Sequence, residues 1–438
     1  MFIKYCKDFM ISLKELHLII DVPLAFCFLA VGVLLSCMTR FPQLRKFKQF
    51  LKFITSKQSH ESHKNTITPL QALFTAMSTS LGMGTIVAAP LGVVIGGPGS
   101  LFWIMVYSFF GAVTKFSEAT FAVKFKRYAS DGTIIGGPTG YLYQIHPYLA
   151  NWYGIVTVFL FSSWTAIQAK AMAATYSHQG VPEYATGAVM ALFVFYILTG
   201  GAKRIGLFSS KLVPVMCAMY FTLCCLILFA DLTALKDAII SIFSHAFSPA
   251  APIGGFVGAT AASGLKEGVF KAAFITEAGV GTAAIPHALS DAKKPTNQGI
   301  LAMYSIIGDT FFCILSGLIA IITGTWTLGK ISNDLPLLAF KQGLPTIGPL
   351  AYTITVTMFI IGTAVGNSLN ASKSYAFFTN NRQMYFYYGF VSLCIFFGSI
   401  FDTSTLWEIS EFIIPLIALP NLLGLIILTK KYRSELAE

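Results

Sequence analysis

The stretch Ser80-Leu-Gly-Met-Gly-Thr-Ile-Val-Ala-Ala-Pro90 lies inside a long apolar segment, yet glycines at 82 and 84 weaken its centre. Half a chain later, Gly279-Val280-Gly281-Thr282-Ala-Ala-Ile-Pro286 repeats the pattern. A helix interrupted in hydrocarbon exposes backbone N–H and C=O groups, each costly unless paired. Such breaks persist only where protein buries them or where they line a cavity. Glycine permits the turn and lets a ligand approach the backbone. A single Gly-x-Gly also reads as a helix-packing device. Two, at matching places in two halves, point to a midplane binding site. There, half-helix N-termini face a carboxylate and freed carbonyls face a cation.

The surrounding composition supports a membrane setting. Of 438 residues, 55% are hydrophobic and 11% charged, against about 25% charged in soluble domains. Mean hydropathy is +0.69. Apolar runs of about 20 residues recur, each long enough to cross a roughly 30 Å hydrocarbon core. The chain therefore reads as an all-α polytopic membrane protein whose standing partner is the lipid bilayer. Its net charge of +11 does not indicate nucleic acid, because the basic residues gather in alternate loops. The eight cysteines lie mainly in apolar segments without metal-like spacing and read as small helix residues. His60 and His63 lack further ligands and make a poor metal site. No catalytic grouping of His, Cys and Asp and no phosphate loop is present, so an enzyme is not expected.

Eleven candidate spans follow, at about 18–38, 69–95, 99–123, 152–176, 183–200, 207–230, 262–290, 297–325, 348–377, 383–402 and 407–429. The first is too long for a signal peptide and lacks a small-residue cleavage site. Each odd-numbered span is followed by basic residues: Arg40 to Lys64, Lys124 to Arg127, Lys203 to Lys211, Lys293 and Lys294, Arg382, and Lys430 to Arg433. The positive-inside rule then puts the N-terminus outside and the C-terminus in the cytoplasm. Without the first span, the glycine breaks fall in the opening helix of each of two five-helix halves. Five is odd, so the halves are inverted. The expected organisation is an extra N-terminal helix (1–40), a basic cytoplasmic loop (41–68), a first repeat (69–231), an external loop (232–261), a second repeat (262–429) and a cytoplasmic tail (430–438).

Charges inside spans mark function by default. Lys115 and Glu118, three residues apart, are expected to pair in a structural or gating role. Glu277 sits in the second break, either bonding its exposed N–H groups or titrating to couple transport to protons. Asp309 reads as a helix-packing hydrogen bonder. Glu267 and Lys271 are expected to pair along their helix.

The motifs resemble those of the alanine/glycine:cation (sodium:alanine) symporter family. The blocks are Ala72-Leu-Phe-Thr-Ala-Met-Ser-Thr-Ser-Leu-Gly-Met-Gly-Thr-Ile86, Gly96-Gly-Pro-Gly-Ser-Leu-Phe-Trp103 and Thr114-Lys-Phe-Ser-Glu118. Further blocks are Asp131 to Pro138, Phe274-Ile-Thr-Glu-Ala-Gly-Val-Gly-Thr282, Pro286-His-Ala288, Gln298-Gly299 and Gly308-Asp-Thr310. They cover about residues 70 to 310. The resemblance implies a LeuT-type five-plus-five inverted repeat with one extra N-terminal helix, in a bacterial inner (plasma) membrane. It also implies uptake of a small amino acid coupled to Na⁺, or sometimes H⁺, by alternating access.

By the same resemblance, the amides of Gly82, Met83 and Gly84 receive the substrate carboxylate, with Thr85 beside them. Gln168 faces the substrate, and Phe274, Thr276 and Gly279 form the opposite wall. Ser78, Leu81 and Thr363 supply oxygens to Na⁺. Three positions depart from the family pattern. Thr85 replaces Asn, Ile275-Thr276 replaces Ser-Asn, and Asn367 stands where the family carries Trp. Asn367 enlarges and polarises the pocket, so a larger or more polar amino acid is the alternative substrate, and H⁺ the alternative coupling ion. Oligomeric state is left open.

Overall fold

The computed structural model describes residues 23–55, 66–177, 179–247, 261–329 and 334–437. His60 and His63 lie outside these residues.

The helices begin where the sequence gives a start signal. Helix α1 is Pro23–Met38; short α2 (Pro42–Arg45) and amphipathic α3 (Phe47–Thr55) follow. Helix α4 (Pro69–Ser80) opens on a capping box, in which Thr68 and Gln71 satisfy each other's backbone N–H groups, with proline in the first turn. It is followed by α5 (Met83–Gly96), α6 (Ser100–Lys124), short α7 (Pro138–Leu142), α8 (Pro147–Ser177), α9 (Glu183–Thr199) and α10 (Gly201–Leu228). The second half comprises α11 (Leu232–Phe247), α12 (Ala261–Thr276), short α13 (Ala284–Ala288), α14 (Pro295–Ile322), α15 (Leu335–Gly343), α16 (Gly348–Thr379), α17 (Met384–Ile400), α18 (Ser404–Lys431) and α19 (Arg433–Ala437). A hairpin of β1 (Arg127–Tyr128) and β2 (Ile134–Ile135) joins α6 to α7.

Among the described residues, six helices are long and apolar enough to cross a membrane, and the bent pair α4–α5 makes a seventh span. Three shorter apolar helices, α1, α9 and α17, and the interrupted α12–α13 segment occupy the other expected span positions. The expected loop over 232–261 is different: its first part is a 16-residue helix, α11. Its Phe243 and Phe247 pack on Phe102 of α6, so apolar contact holds this segment against the bundle.

Two packed groups divide the molecule. Helices α5, α6, α12 and α14 contact one another, as do α8, α9, α16 and α17, while α4 packs on both α14 and α16 and α10 on both α4 and α16. The basic segments meet at one end. Lys124 pairs with Glu435, Lys126 donates to the Ser290 carbonyl, and Arg45 donates to the Ala437 carbonyl at 3.0 Å. The Ile67 and Ser290 segments bridge each other there. Lys203 and Asn381 line one cavity with Thr133 of the β1–β2 turn. Loops far apart in sequence thus share one face, as their charge pattern predicts.

Candidate functional site

The two glycine breaks lie near each other on the side of the first packed group that faces α8 and α16, and they differ in geometry. Between α4 and α5 the axis bends by 46° over two residues. Leu81 (ψ 82°) and Gly82 (φ −135°, ψ −159°) lie outside the helical region, but neither has a positive φ. Ser80 O accepts from Gly82 N at 3.1 Å and from the Thr85 hydroxyl at 2.6 Å, and Gly82 O accepts from the Thr85 and Ile86 amides. Met83 and Gly84, at the start of α5, have no hydrogen-bond acceptor for their N–H groups among the described residues. A helix N-terminus with unpaired donors is an anion site in waiting.

Between α12 and α13 the chain makes a longer irregular turn. Glu277, Gly279 and Gly281 take left-handed φ values of 55°, 86° and 90°. Side chains from three other helices, α6, α8 and α18, bond four of its backbone groups. Glu118 Oε1 accepts from Gly279 N at 2.9 Å, and Asn421 Nδ2 donates to Gly279 O at 2.9 Å and to Glu118 Oε1 at 2.7 Å. Tyr107 donates to Ala278 O at 2.7 Å and Tyr153 to Val280 O at 2.8 Å. Tyr141 of α7 in turn donates to Asn421.

A polar cavity of ≈ 30 Å³ lies between the breaks. Gly82, Gly84, Gln168, Phe274, Thr363 and Asn367 line it together, as do Glu277 and two residues without a role in the sequence reading, Trp164 and Trp407. Trp164 meets the Phe274 ring edge-on at 5.2 Å, and Trp407 lies 6.1 Å from it. Gly84, Ile167, Phe274 and Trp407 also line an adjoining, largely apolar cavity of ≈ 260 Å³, where Met83 and Lys271 are found. The carboxamide oxygens of Gln168 and Asn367 are buried without partners among the described residues.

Thr85, Thr276, Gly279 and Ser78 lie outside this wall, and Thr363 also reaches beyond it. Thr85 ties the first break to Ser80, and Thr276 donates to Ala272 O at 2.7 Å. Gly279 faces Phe28 and Leu422. Thr363 donates to Leu81 O at 3.2 Å, joining α16 to the first break. Ser78 lies beside them outside the cavity wall, near Gly362 and Gly366 of α16, and 3.3 Å from the Ser209 hydroxyl.

The buried charges are paired differently from expectation. Lys115 reaches Asp309 Oδ2 at 3.2 Å rather than Glu118, and Asp309 also accepts from Ser80 at 2.9 Å. Glu118 is drawn instead to the open N–H of the second break. The Glu277 side chain accepts from Thr282 at 2.5 Å, so the carboxylate that satisfies the broken backbone is Glu118. Near α12's start, Glu267 lies 3.8 Å from Lys266, while Lys271 lines the apolar cavity. Asn421 is the partner that sequence reading missed, and its signal was a lone polar residue beside Pro420 in an apolar run.

Two interrupted helices from two halves, enclosing a polar cavity with open donors and oxygen ligands, define the class: a secondary transporter built on broken helices. The chain belongs to the sodium:alanine symporter family, whose model matches residues 7–438. This is a family of cation-coupled amino-acid symporters, not of enzymes. The Methanococcus maripaludis protein named sodium/alanine symporter AgcS is 30% identical over 420 residues, 93% of this chain and 92% of that one. The Bacillus subtilis protein named probable sodium/glutamine symporter GlnT is 24% identical over 92% of this chain and 84% of its own. The solved structure of MhsT in complex with L-phenylalanine matches with a TM-score of 0.61 at 16% identity, covering 84% of this chain and 89% of that one. That likeness establishes the LeuT-like fold.

Proposed function

We propose that the protein is a Na⁺-coupled symporter that imports a small neutral amino acid of the alanine/glycine class by alternating access. The observation that carries this reading is the pair of unsatisfied amides, Met83 and Gly84, at the N-terminus of α5. Gly84 faces the polar cavity and Met83 its apolar neighbour. A substrate carboxylate is held there by N–H donors and the positive end of the helix. The Gln168 and Asn367 oxygens accept from the substrate ammonium. Na⁺ takes Leu81 O and Thr363 Oγ1, with Ser78 beside them, and so fixes the first break in its substrate-binding shape. Each ligand tightens the other through that shared element. The basic end faces the cytoplasm, with the N-terminus outside and residues 69–231 and 262–429 as the inverted repeats.

Asn367 favours a second reading, a larger or more polar amino acid. Two carboxamides line the cavity where one would serve an ammonium, leaving hydrogen-bonding capacity for a polar side chain. The relative named as a glutamine symporter fits that reading. Uptake of radiolabelled alanine, glycine, serine and glutamine into proteoliposomes, under an inward Na⁺ gradient, an inward H⁺ gradient or none, separates the cases. Alanine or glycine uptake with Na⁺ alone is expected. Preferential glutamine uptake selects the second reading, and uptake driven only by H⁺ removes Na⁺ from the account.

A further inference from the structure

A cavity of ≈ 480 Å³ opens at the basic end, beside the packed group of α9, α16 and α17 and away from the transport cavity. Lys373 of α16 lines it while only 7% exposed. Its amine has no hydrogen bond or ion pair within 4.0 Å among the described residues. A charge at the end of a largely buried side chain and without a partner is costly, and such residues persist where something in the cavity they reach supplies the missing charge. Asp131 is the acid that acts on Lys373 electrostatically. That carboxylate is already engaged, accepting from Thr133 N at 2.9 Å and Asn381 Nδ2 at 2.7 Å, and it does not line the cavity.

The first turn of α10 forms another wall. Gly200, Gly201, Ala202 and Lys203 all line the cavity. This helix of 28 residues starts without a side-chain cap and without an acidic residue in its first turn. Its N-terminal N–H groups and positive dipole end therefore lack a side-chain counter-charge. Gly201 has φ 65° and open space where a Cβ would stand, so the chain turns there without obstructing the cavity. A long-helix N-terminus, a buried unpaired lysine and a second, exposed lysine converge where no carboxylate lines the wall.

We propose that this cavity binds a phosphate group, carried either by a phospholipid headgroup or by a soluble phosphate compound. A tetrahedral oxyanion presents oxygens at once to the α10 amides and to both ammonium groups. Tyr385 and Phe386 at the start of α17 are 70% and 72% exposed. They place the mouth of the cavity at the level where aromatic side chains meet headgroups.

The test measures the thermal-unfolding midpoint of the purified full chain in detergent. Inorganic phosphate, phosphatidylglycerol in mixed micelles, and uncharged diacylglycerol are titrated separately at matched ionic strength. The midpoint is expected to rise with a phosphate-bearing ligand and to stay flat with diacylglycerol. Phosphatidylglycerol acting alone assigns the site to lipid, whereas a response to inorganic phosphate assigns it to soluble ligands. Lys373→Met should abolish the shift while its own unliganded midpoint stays level or rises, because an unpaired buried charge is gone. Ala202→Asp, which keeps Lys373 and its packing, should abolish the shift by putting a carboxylate at the helix start. No shift with either phosphate ligand overturns the proposal, as does an undiminished shift in the variants.

Discussion

The two breaks share a sequence motif and have opposite chemistry. At Leu81–Gly82 the backbone stays in ordinary conformations and leaves the Met83 and Gly84 amides open at the cavities. Across residues 277–283 the backbone adopts three left-handed residues, and Tyr107, Glu118, Tyr153 and Asn421 close its polar groups. The first break leaves two amides open at the cavities; at the second, side chains take the Gly279 amide and the Ala278, Gly279 and Val280 carbonyls. Which backbone groups the protein's own side chains take therefore differs between the two breaks, although the motif is the same.

Alanine substitution should break that comparison most visibly. Gly279→Ala combines a left-handed residue with a Cβ 2.7 Å from the Phe28 ring, so about 2–5 kcal/mol of destabilisation is expected. Loss of monodisperse protein on size exclusion and a lower unfolding midpoint would report it. Gly84→Ala sits in regular helix, its Cβ 3.2 Å from the movable Phe274 ring. It should fold normally yet lose amino-acid binding, because the methyl group covers the carboxylate site. Equal stability loss in the two variants would show that both breaks are structural.

A smaller effect sharpens the role of Glu118. Glu118→Ala orphans the Gly279 amide and one Asn421 donor, costing about 1–3 kcal/mol. Glu118→Gln keeps an acceptor for Gly279 and should recover much of the stability, as read by the unfolding midpoint. If the glutamine variant is as damaged as the alanine one, the carboxylate acts through its charge rather than as a backbone partner. Smaller still, Thr85→Val removes the bond to Ser80 O, worth about 1 kcal/mol. It should leave substrate preference unchanged, since Thr85 lies outside the cavity wall. Asn367→Ala should leave stability nearly intact and shift the ratio of polar to apolar amino acids taken up. An unchanged ratio would remove Asn367 from the specificity account.

Most of the architecture was legible because membrane spans announce themselves by length, apolarity and flanking charge. The helix starts at Pro69 and Pro295 coincide with capping and proline signals. The apolar repeat also exposed both breaks. Their different geometry was not legible, because Gly82-Met-Gly84-Thr85 and Gly279-Val-Gly281-Thr282 offer the same local freedom. Tertiary partners decide which conformation each adopts. The ion pairs were misassigned for the same reason: helical spacing joins Lys115 to Glu118, but Asp309 and the Gly279 amide compete across helices and win. Trp164 and Trp407 carried no positional signal, since an aromatic residue in an apolar span looks alike at a cavity or in a core.

The central claim is that the first break, joined to α16 through Thr363, carries both the amino acid and the cation. Equilibrium binding of radiolabelled alanine, measured across Na⁺ concentrations in wild type and Thr363→Val, tests it most directly. Valine preserves the shape of Thr363 and removes the hydroxyl that reaches Leu81 O. The account predicts that Na⁺ tightens alanine binding in wild type and that the variant, though folded, loses most of this dependence. The same Na⁺ dependence in both proteins would place the coupling ion elsewhere and contradict the account.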